Sequence, residues 1–137
     1  MVECLIIGDS IAVGTHMARP ECVAYAHGGW NSWQWNKDYL DKASAEPSKT
    51  VIISLGANDH KGVKTEQELR KMRAAIKGQR VFWISPGKDR KPIPQDAIER
   101  IAKEYGDTIL NRPEAHMSPD RIHPTGKGYK ILGEQTK

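Results

Sequence analysis

The chain has 137 residues, enough for one hydrophobic core and too few for a second domain beside it. Hydrophobic residues make up 38% and charged residues 28%, and no apolar run reaches the roughly 18 residues of a membrane span, which excludes a spanning helix. The formal charge of +4 is spread along the chain rather than gathered in a block, which speaks against a nucleic-acid binder.

Residues 1–137 are therefore expected to form one domain. The N-terminus runs at once into Leu5-Ile6-Ile7-Gly8, with no basic n-region, long apolar h-region or small-residue cleavage site. A soluble protein without an export signal is the expectation. Cys4 and Cys22 each sit in an apolar stretch and are expected to be buried, reduced thiols.

Val2 to Ile7 is a near-continuous apolar run, as in a parallel strand covered on both faces. Cys22 to Ala26 is a second, weaker strand, and Trp30, Trp33 and Trp35 crowd the segment that follows it. Spacing puts Trp30 and Trp33 one helical turn apart, either as core or as rings available to a sugar. Thr50 to Ser54 is a β-branched third strand. Thr65-Glu66-Gln67-Glu68 then reads as a capping box, with Leu69, Met72, Ala75 and Ile76 on one helical face and Gly78 as a stop. Val81 to Ser85 is the fourth strand. Pro94 suits a first helical turn; Ile98, Ile101, Ala102 and Tyr105 follow at helical spacing, and Gly106 suits the C-terminal cap. Thr108 to Leu110 is a short last strand, and Thr125 to Gln135 a weaker helix interrupted by glycines.

Such alternation predicts an α/β fold, a parallel sheet with helices on both faces, in the flavodoxin-like order 2-1-3-4-5. In such sheets chemistry collects at the carboxyl ends of the strands. After the first strand comes Gly8-Asp9-Ser10, which puts a serine hydroxyl at a sharp strand-to-helix turn, where a helix N-terminus stabilises negative charge. Taken alone, a serine there is also an ordinary N-cap. After the third strand comes Gly56-Ala57-Asn58-Asp59, whose Asn58 amide can aim at the same point; alone it reads as a turn asparagine. After the last strand comes Asp120-Arg121-Ile122-His123-Pro124, where a spacing of three lets a carboxylate reach back to one imidazole nitrogen while the other faces outward. His16, His27, His60 and His116 lack such a partner and read as surface or structural residues.

In this order and at strand ends, the three blocks resemble the SGNH (GDSL) hydrolase superfamily along the whole chain. The resemblance implies a three-layer α/β/α sandwich and a serine esterase without metal or organic cofactor. It assigns Ser10 as nucleophile, His123 as general base and Asp120 as the residue that orients it. The oxyanion would be met by the Ser10 N–H, the Asn58 side-chain amide and a backbone N–H from the second block. The match for that block is weakest, in His27-Gly28-Gly29, where Gly29 is chosen by its distance beyond the strand and Gly28 is the alternative. Asp9 is assigned to holding the turn and Asp59 to ordering its loop. The chain is short for the family, and its strand-end loops are polar, Lys88-Asp89-Arg90-Lys91 and Glu114-Ala115-His116. Short acyl groups, acetyl foremost, are therefore the expected substrates, on a small molecule or on a glycan if the tryptophans are exposed. No nucleic acid or membrane partner is expected.

Three rivals remain distinguishable. A catalytically inactive carbohydrate-binding module of the same fold would be expected to lack one of Ser10, His123 and Asp120. A metallophosphoesterase built on Asp9, Asn58, Asp59, Asp120 and His123 would need a denser ligand cluster. A flavodoxin-like nucleotide binder has no use for the histidine-bearing last loop.

Overall fold

The computed structural model describes residues 1–137. Five parallel strands carry the chain through the sheet: β1 (Val2–Gly8), β2 (Val23–Ala26), β3 (Ser48–Ser54), β4 (Gly78–Ile84) and β5 (Thr108–Leu110), in the order β2-β1-β3-β4-β5. The helices are α1 (Ser10–Ala18), α2 (Ser32–Ser44), α3 (Thr65–Ala75), α4 (Pro92–Tyr105) and α5 (Gly126–Gln135). No helix is long and apolar enough to cross a membrane.

Side chains of a strand alternate between faces, and both faces here are apolar. Leu5, Ile7, Val51, Ile53, Val81 and Trp83 pack with residues of α2, α3 and α4 on one side. Cys4, Ile6, Ile52, Phe82 and Ile84 pack with residues of α1 and α5 on the other. This two-sided burial makes the three layers, and it explains why the strands read as unbroken hydrophobic runs.

Several local expectations differ from the structure. β3 and β4 begin earlier than their apolar runs, at Ser48 and Gly78, because polar residues extend the ladders at that end of the sheet. Gly78 is thus a strand residue rather than a helix stop. Thr65 does not cap α3: Lys64 occupies that position without a side-chain bond, and Glu68 instead receives the Asn36 amide from α2 at 2.9 Å. The capping box lies at α2, where Asn31 and Gln34 exchange bonds with each other's backbone N–H. Helix α4 starts two residues before Pro94, at Pro92, and Gly106 caps it as expected.

The cysteines are not reduced thiols. Cys4 and Cys22 form a disulfide with Cα atoms 4.8 Å apart. The pairing Leu5 with Val23 between β1 and β2 puts Cys4 and Cys22 side by side one residue earlier, on the same face. A crosslink closing a loop of 18 residues contributes about 3 kcal/mol by the chain-entropy argument.

Candidate active site

Ser10 is the first residue of α1, one residue after a turn that only a glycine can make. Gly8 has φ 138°, and a Cβ there would stand 1.7 Å from the Ser54 carbonyl oxygen of neighbouring β3. Asp9, not Ser10, is the N-cap: its carboxylate accepts the Ile11 N–H at 3.0 Å and the Ser54 hydroxyl at 3.0 Å. The capping duty read for a serine thus falls to its neighbour, which leaves the Ser10 hydroxyl free. Asp9 is fully buried, and its second oxygen has no partner. Burial pushes the carboxyl up to about 6, against hydrogen bonds from Ser54, Ile11 and Ala12 that pull it down.

The last loop brings Asp120 and His123 to this serine. Ser10 Oγ lies 2.8 Å from His123 Nε2, and His123 Nδ1 lies 2.7 Å from Asp120 Oδ2. The carboxylate can only accept, so Nδ1 carries the proton and Nε2 of the neutral ring accepts the Ser10 O–H. The Asp120 carboxylate also takes the N–H groups of Ile122 at 2.9 Å and His123 at 3.0 Å through its other oxygen. The His123 N–H, the His123 imidazole and the Ile122 N–H together hold its carboxyl well below the usual carboxylate range. The side chains of His123 and Asp120 are 41% and 47% exposed, so the pair works beside solvent rather than inside the core. Behind it stands half-buried Tyr129, pushed up to about 12 by burial and by the Asp9 and Asp120 charges.

The loop that carries this pair is held from below by a residue that sequence reading passed over. Arg121 sits at φ 62°, left-handed for a residue with a side chain. The Arg112 guanidinium donates to the Arg121 carbonyl at 2.8 Å and to the Asp89 and Glu114 carboxylates at 2.8 and 3.0 Å. Its side chain is only 8% exposed. Arg121 itself reaches Glu114 at 2.6 Å. Ser118 N–H to the His123 carbonyl at 2.7 Å and Arg121 N–H to the Ser118 carbonyl at 2.9 Å close the loop on itself. No motif marks Arg112; a lone arginine before an Asp-x-x-His segment has many ordinary uses.

Asn58 follows β3 and spends one amide proton on the Trp30 carbonyl at 3.1 Å, leaving the second free. Asp59 orders this loop: it accepts the Ser32 N–H at 2.8 Å and the Ser32 hydroxyl at 2.6 Å at the start of α2. In the turn after β2, a Cβ on Gly28 would lie 3.7 Å from the Ser10 Cβ, whereas Gly29 has φ 80° with nothing near its Cβ direction. The bond from Trp30 N–H to the His27 carbonyl closes this turn and uses neither glycine N–H. Gly28 therefore stands nearest the serine, with Gly29 next along the chain.

The tryptophans separate. Trp35 is fully buried and donates its indole N–H to the Tyr25 carbonyl at 2.8 Å. Trp30 stacks on His27 at 3.9 Å and precedes α2, so it does not share a helical face with Trp33. Trp33 is 52% exposed. The remaining histidines act locally: His16 contacts the Cys22 carbonyl at 3.1 Å, and His60 Nδ1 accepts the Gly62 N–H at 3.0 Å.

Taken together, a hydroxyl, an imidazole and a carboxylate form one hydrogen-bonded line beside solvent. Such a line can move a proton from a hydroxyl as it attacks a carbonyl carbon. Comparison with solved structures finds the same fold elsewhere. A carbohydrate acetylesterase family member from Sinorhizobium meliloti is similar with TM-score 0.72 and 12% identity, over 98% of this chain and 94% of that one. The C-terminal catalytic domain of peptidoglycan O-acetyltransferase A from Streptococcus pneumoniae is similar with TM-score 0.68 and 20% identity, over 97% and 89%. An acetyl xylan esterase from Geobacillus stearothermophilus is similar with TM-score 0.65 and 17% identity, over 96% and 91%. No curated protein matches the chain. The profile of the GDSL-like Lipase/Acylhydrolase family matches residues 6–131, from within β1 through all three blocks and the other four strands, and the chain belongs to that family.

Proposed function

We propose that the chain is a serine esterase that hydrolyses short-chain esters, acetyl esters foremost, with a carbohydrate as the alcohol half. The observation that carries the reading is the Asp120–His123–Ser10 line, with contacts of 2.7 and 2.8 Å. His123 Nε2 takes the Ser10 proton as Oγ bonds to the ester carbonyl carbon, because a free hydroxyl is a poor nucleophile. Asp120 fixes the tautomer and stabilises the imidazolium. The carbonyl π electrons pass to oxygen, and the oxyanion meets the Ser10 N–H, the free Asn58 amide proton and a backbone N–H of Gly29 or Gly28. The intermediate collapses as His123 protonates the leaving alcohol, giving an acetyl-Ser10 ester. Water, deprotonated by the same imidazole, attacks that ester and restores Ser10 with release of the acid.

The acetyl preference is supported by the polar, short strand-end segments. The carbohydrate preference is supported by exposed Trp33 and by neighbours described as a carbohydrate acetylesterase family member and an acetyl xylan esterase. An inactive carbohydrate-binding module would have no need of a complete hydrogen-bonded line. Hydrolysis of p-nitrophenyl acetate by wild type, abolished in Ser10→Ala with unchanged circular dichroism, is the expected result. Wild type without turnover, or a Ser10→Ala variant with full activity, overturns the reading.

A further inference from the structure

A concavity whose lining does not include Ser10 lies between the start of α2 and the loop after β3. It has a volume of about 530 Å³ and is lined by Trp33, Gln34, His60, Lys64 and Glu68 among others. That lies within the roughly 300–1,000 Å³ of clefts that hold small molecules. Its two walls are the segments tied together at Asn58: the Asn58 amide bonds Trp30, and the Asp59 carboxylate bonds Ser32.

Three polar side chains of this cleft are each fixed at one end by the protein, which leaves the other end for a ligand. Gln34 Oε1 accepts the Asn31 N–H at 2.9 Å, so its Nε2 remains as donor. His60 Nδ1 accepts the Gly62 N–H at 3.0 Å, so the neutral ring carries its proton on Nε2, a second donor. Glu68 Oε1 is held by buried Asn36 at 2.9 Å, so Oε2 remains as acceptor. Because these groups are already oriented, little rotamer freedom is lost when a ligand binds them. Trp33 adds an indole that is 52% exposed, with Lys37 Nζ 5.4 Å from the ring centroid. Lys64 and Glu68 bring opposite charges, so the cleft has no net preference for an anion or a cation.

An aromatic face with fixed donors and an acceptor, without net charge, suits a neutral pyranose: its C–H face covers the indole while hydroxyls take the polar ends. We propose that this cleft is the subsite that holds a neutral sugar unit of the acetylated glycan, next to the unit whose ester is cut at Ser10. The assignment rests on the esterase reading and adds to it the place of the alcohol half.

Binding is measured in the Ser10→Ala background, which cannot turn substrate over, by calorimetric titration with partially O-acetylated xylo-oligosaccharides and chito-oligosaccharides. At least one series is expected to bind, and Trp33→Ala and Glu68→Gln are each expected to weaken that binding at least tenfold. In the Ser10 enzyme, Trp33→Ala is expected to raise KM for the bound oligosaccharide at least tenfold more than KM for p-nitrophenyl acetate. No binding of either series, or equal affinity with and without Trp33, overturns the subsite. Failure of the esterase reading shows separately, as wild type that does not hydrolyse p-nitrophenyl acetate.

Discussion

Asn58, in the loop after β3, and Asp9, beside Ser10 in the turn after β1, carry opposite lessons about what a polar side chain does after a strand. Asn58 has one amide proton bound to the Trp30 carbonyl and one free. If that donor meets the developing oxyanion, Asn58→Ala lowers kcat by roughly 10²–10³, about 3–4 kcal/mol, with little change in KM. Steady-state kinetics on p-nitrophenyl acetate check this, and a loss confined to KM would make Asn58 a ground-state binder instead. Asp9 is the buried counterpart, a carboxyl raised by desolvation from 3.8 to about 6. Between those values the folded chain keeps a proton that the unfolded chain releases. Its contribution to stability is therefore full below pH 3.8, falls as pH rises, and is gone above about 6, an effect on the order of 3 kcal/mol. The unfolding free energy of wild type minus that of Asp9→Asn is expected to fall across this window in urea titrations. A difference that stays flat from pH 4 to pH 7 would mean that Asp9 does not titrate there.

At the scale of elements, the loop from β5 to α5 shows how a strained backbone is kept ready for chemistry. Arg121 at φ 62° is an unfavourable conformation, and the buried Arg112 guanidinium holds its carbonyl while two carboxylates hold the guanidinium. Arg112 thus holds the backbone two residues before His123. Arg112→Ala is expected to lower kcat roughly 10- to 100-fold with KM nearly constant, and methylguanidine in the buffer should restore part of it. Wild-type kcat in the folded variant would show that the loop holds its shape unaided. Arg112 was not legible beforehand because its partners are a carbonyl and two acids that only the fold gathers. The same holds for the disulfide: Cys4 and Cys22 become neighbours through the β1–β2 register, which no local pattern encodes. What local pattern does encode came through well. The apolar strands, their alternation with helices and the Gly106 cap depend on residues close in sequence, and the alternation is what pointed to the observed order. The capping box was misassigned to Thr65 because that segment and Asn31 to Gln34 both fit the rule, and only tertiary contacts decide which is used.

On the scale of the whole molecule, the three layers leave little material above the strand ends. Segments after β4 and β5 are polar, held by Arg112 to Asp89 and Glu114 rather than folded into an apolar wall. A long acyl chain would lie in water there, forgoing roughly 0.8 kcal/mol of burial per methylene. The expected order of kcat/KM on p-nitrophenyl esters is acetyl, then butyryl, with octanoyl negligible. Faster octanoyl hydrolysis would require an apolar groove and contradict this reading of the loops. The resemblance in three short blocks was enough to name Ser10, Asn58, Asp120 and His123 as candidates: the first two blocks directly follow β1 and β3, and the last lies in the loop from β5 to α5 that brings His123 to Ser10. The second block was less legible, because its glycines differ only in backbone direction: Gly28 faces Ser10, while Gly29 takes the left-handed conformation.

The central claim is that Ser10 becomes covalently acylated because His123 and Asp120 activate it. The most direct measurement is labelling with an organophosphonate probe, followed by peptide mass spectrometry on wild type, Ser10→Ala and His123→Ala. A single adduct on the Ser10 peptide of wild type, absent in Ser10→Ala and greatly slowed in His123→Ala, is the expected result. An adduct on another serine, or equal labelling rates with and without His123, would contradict it.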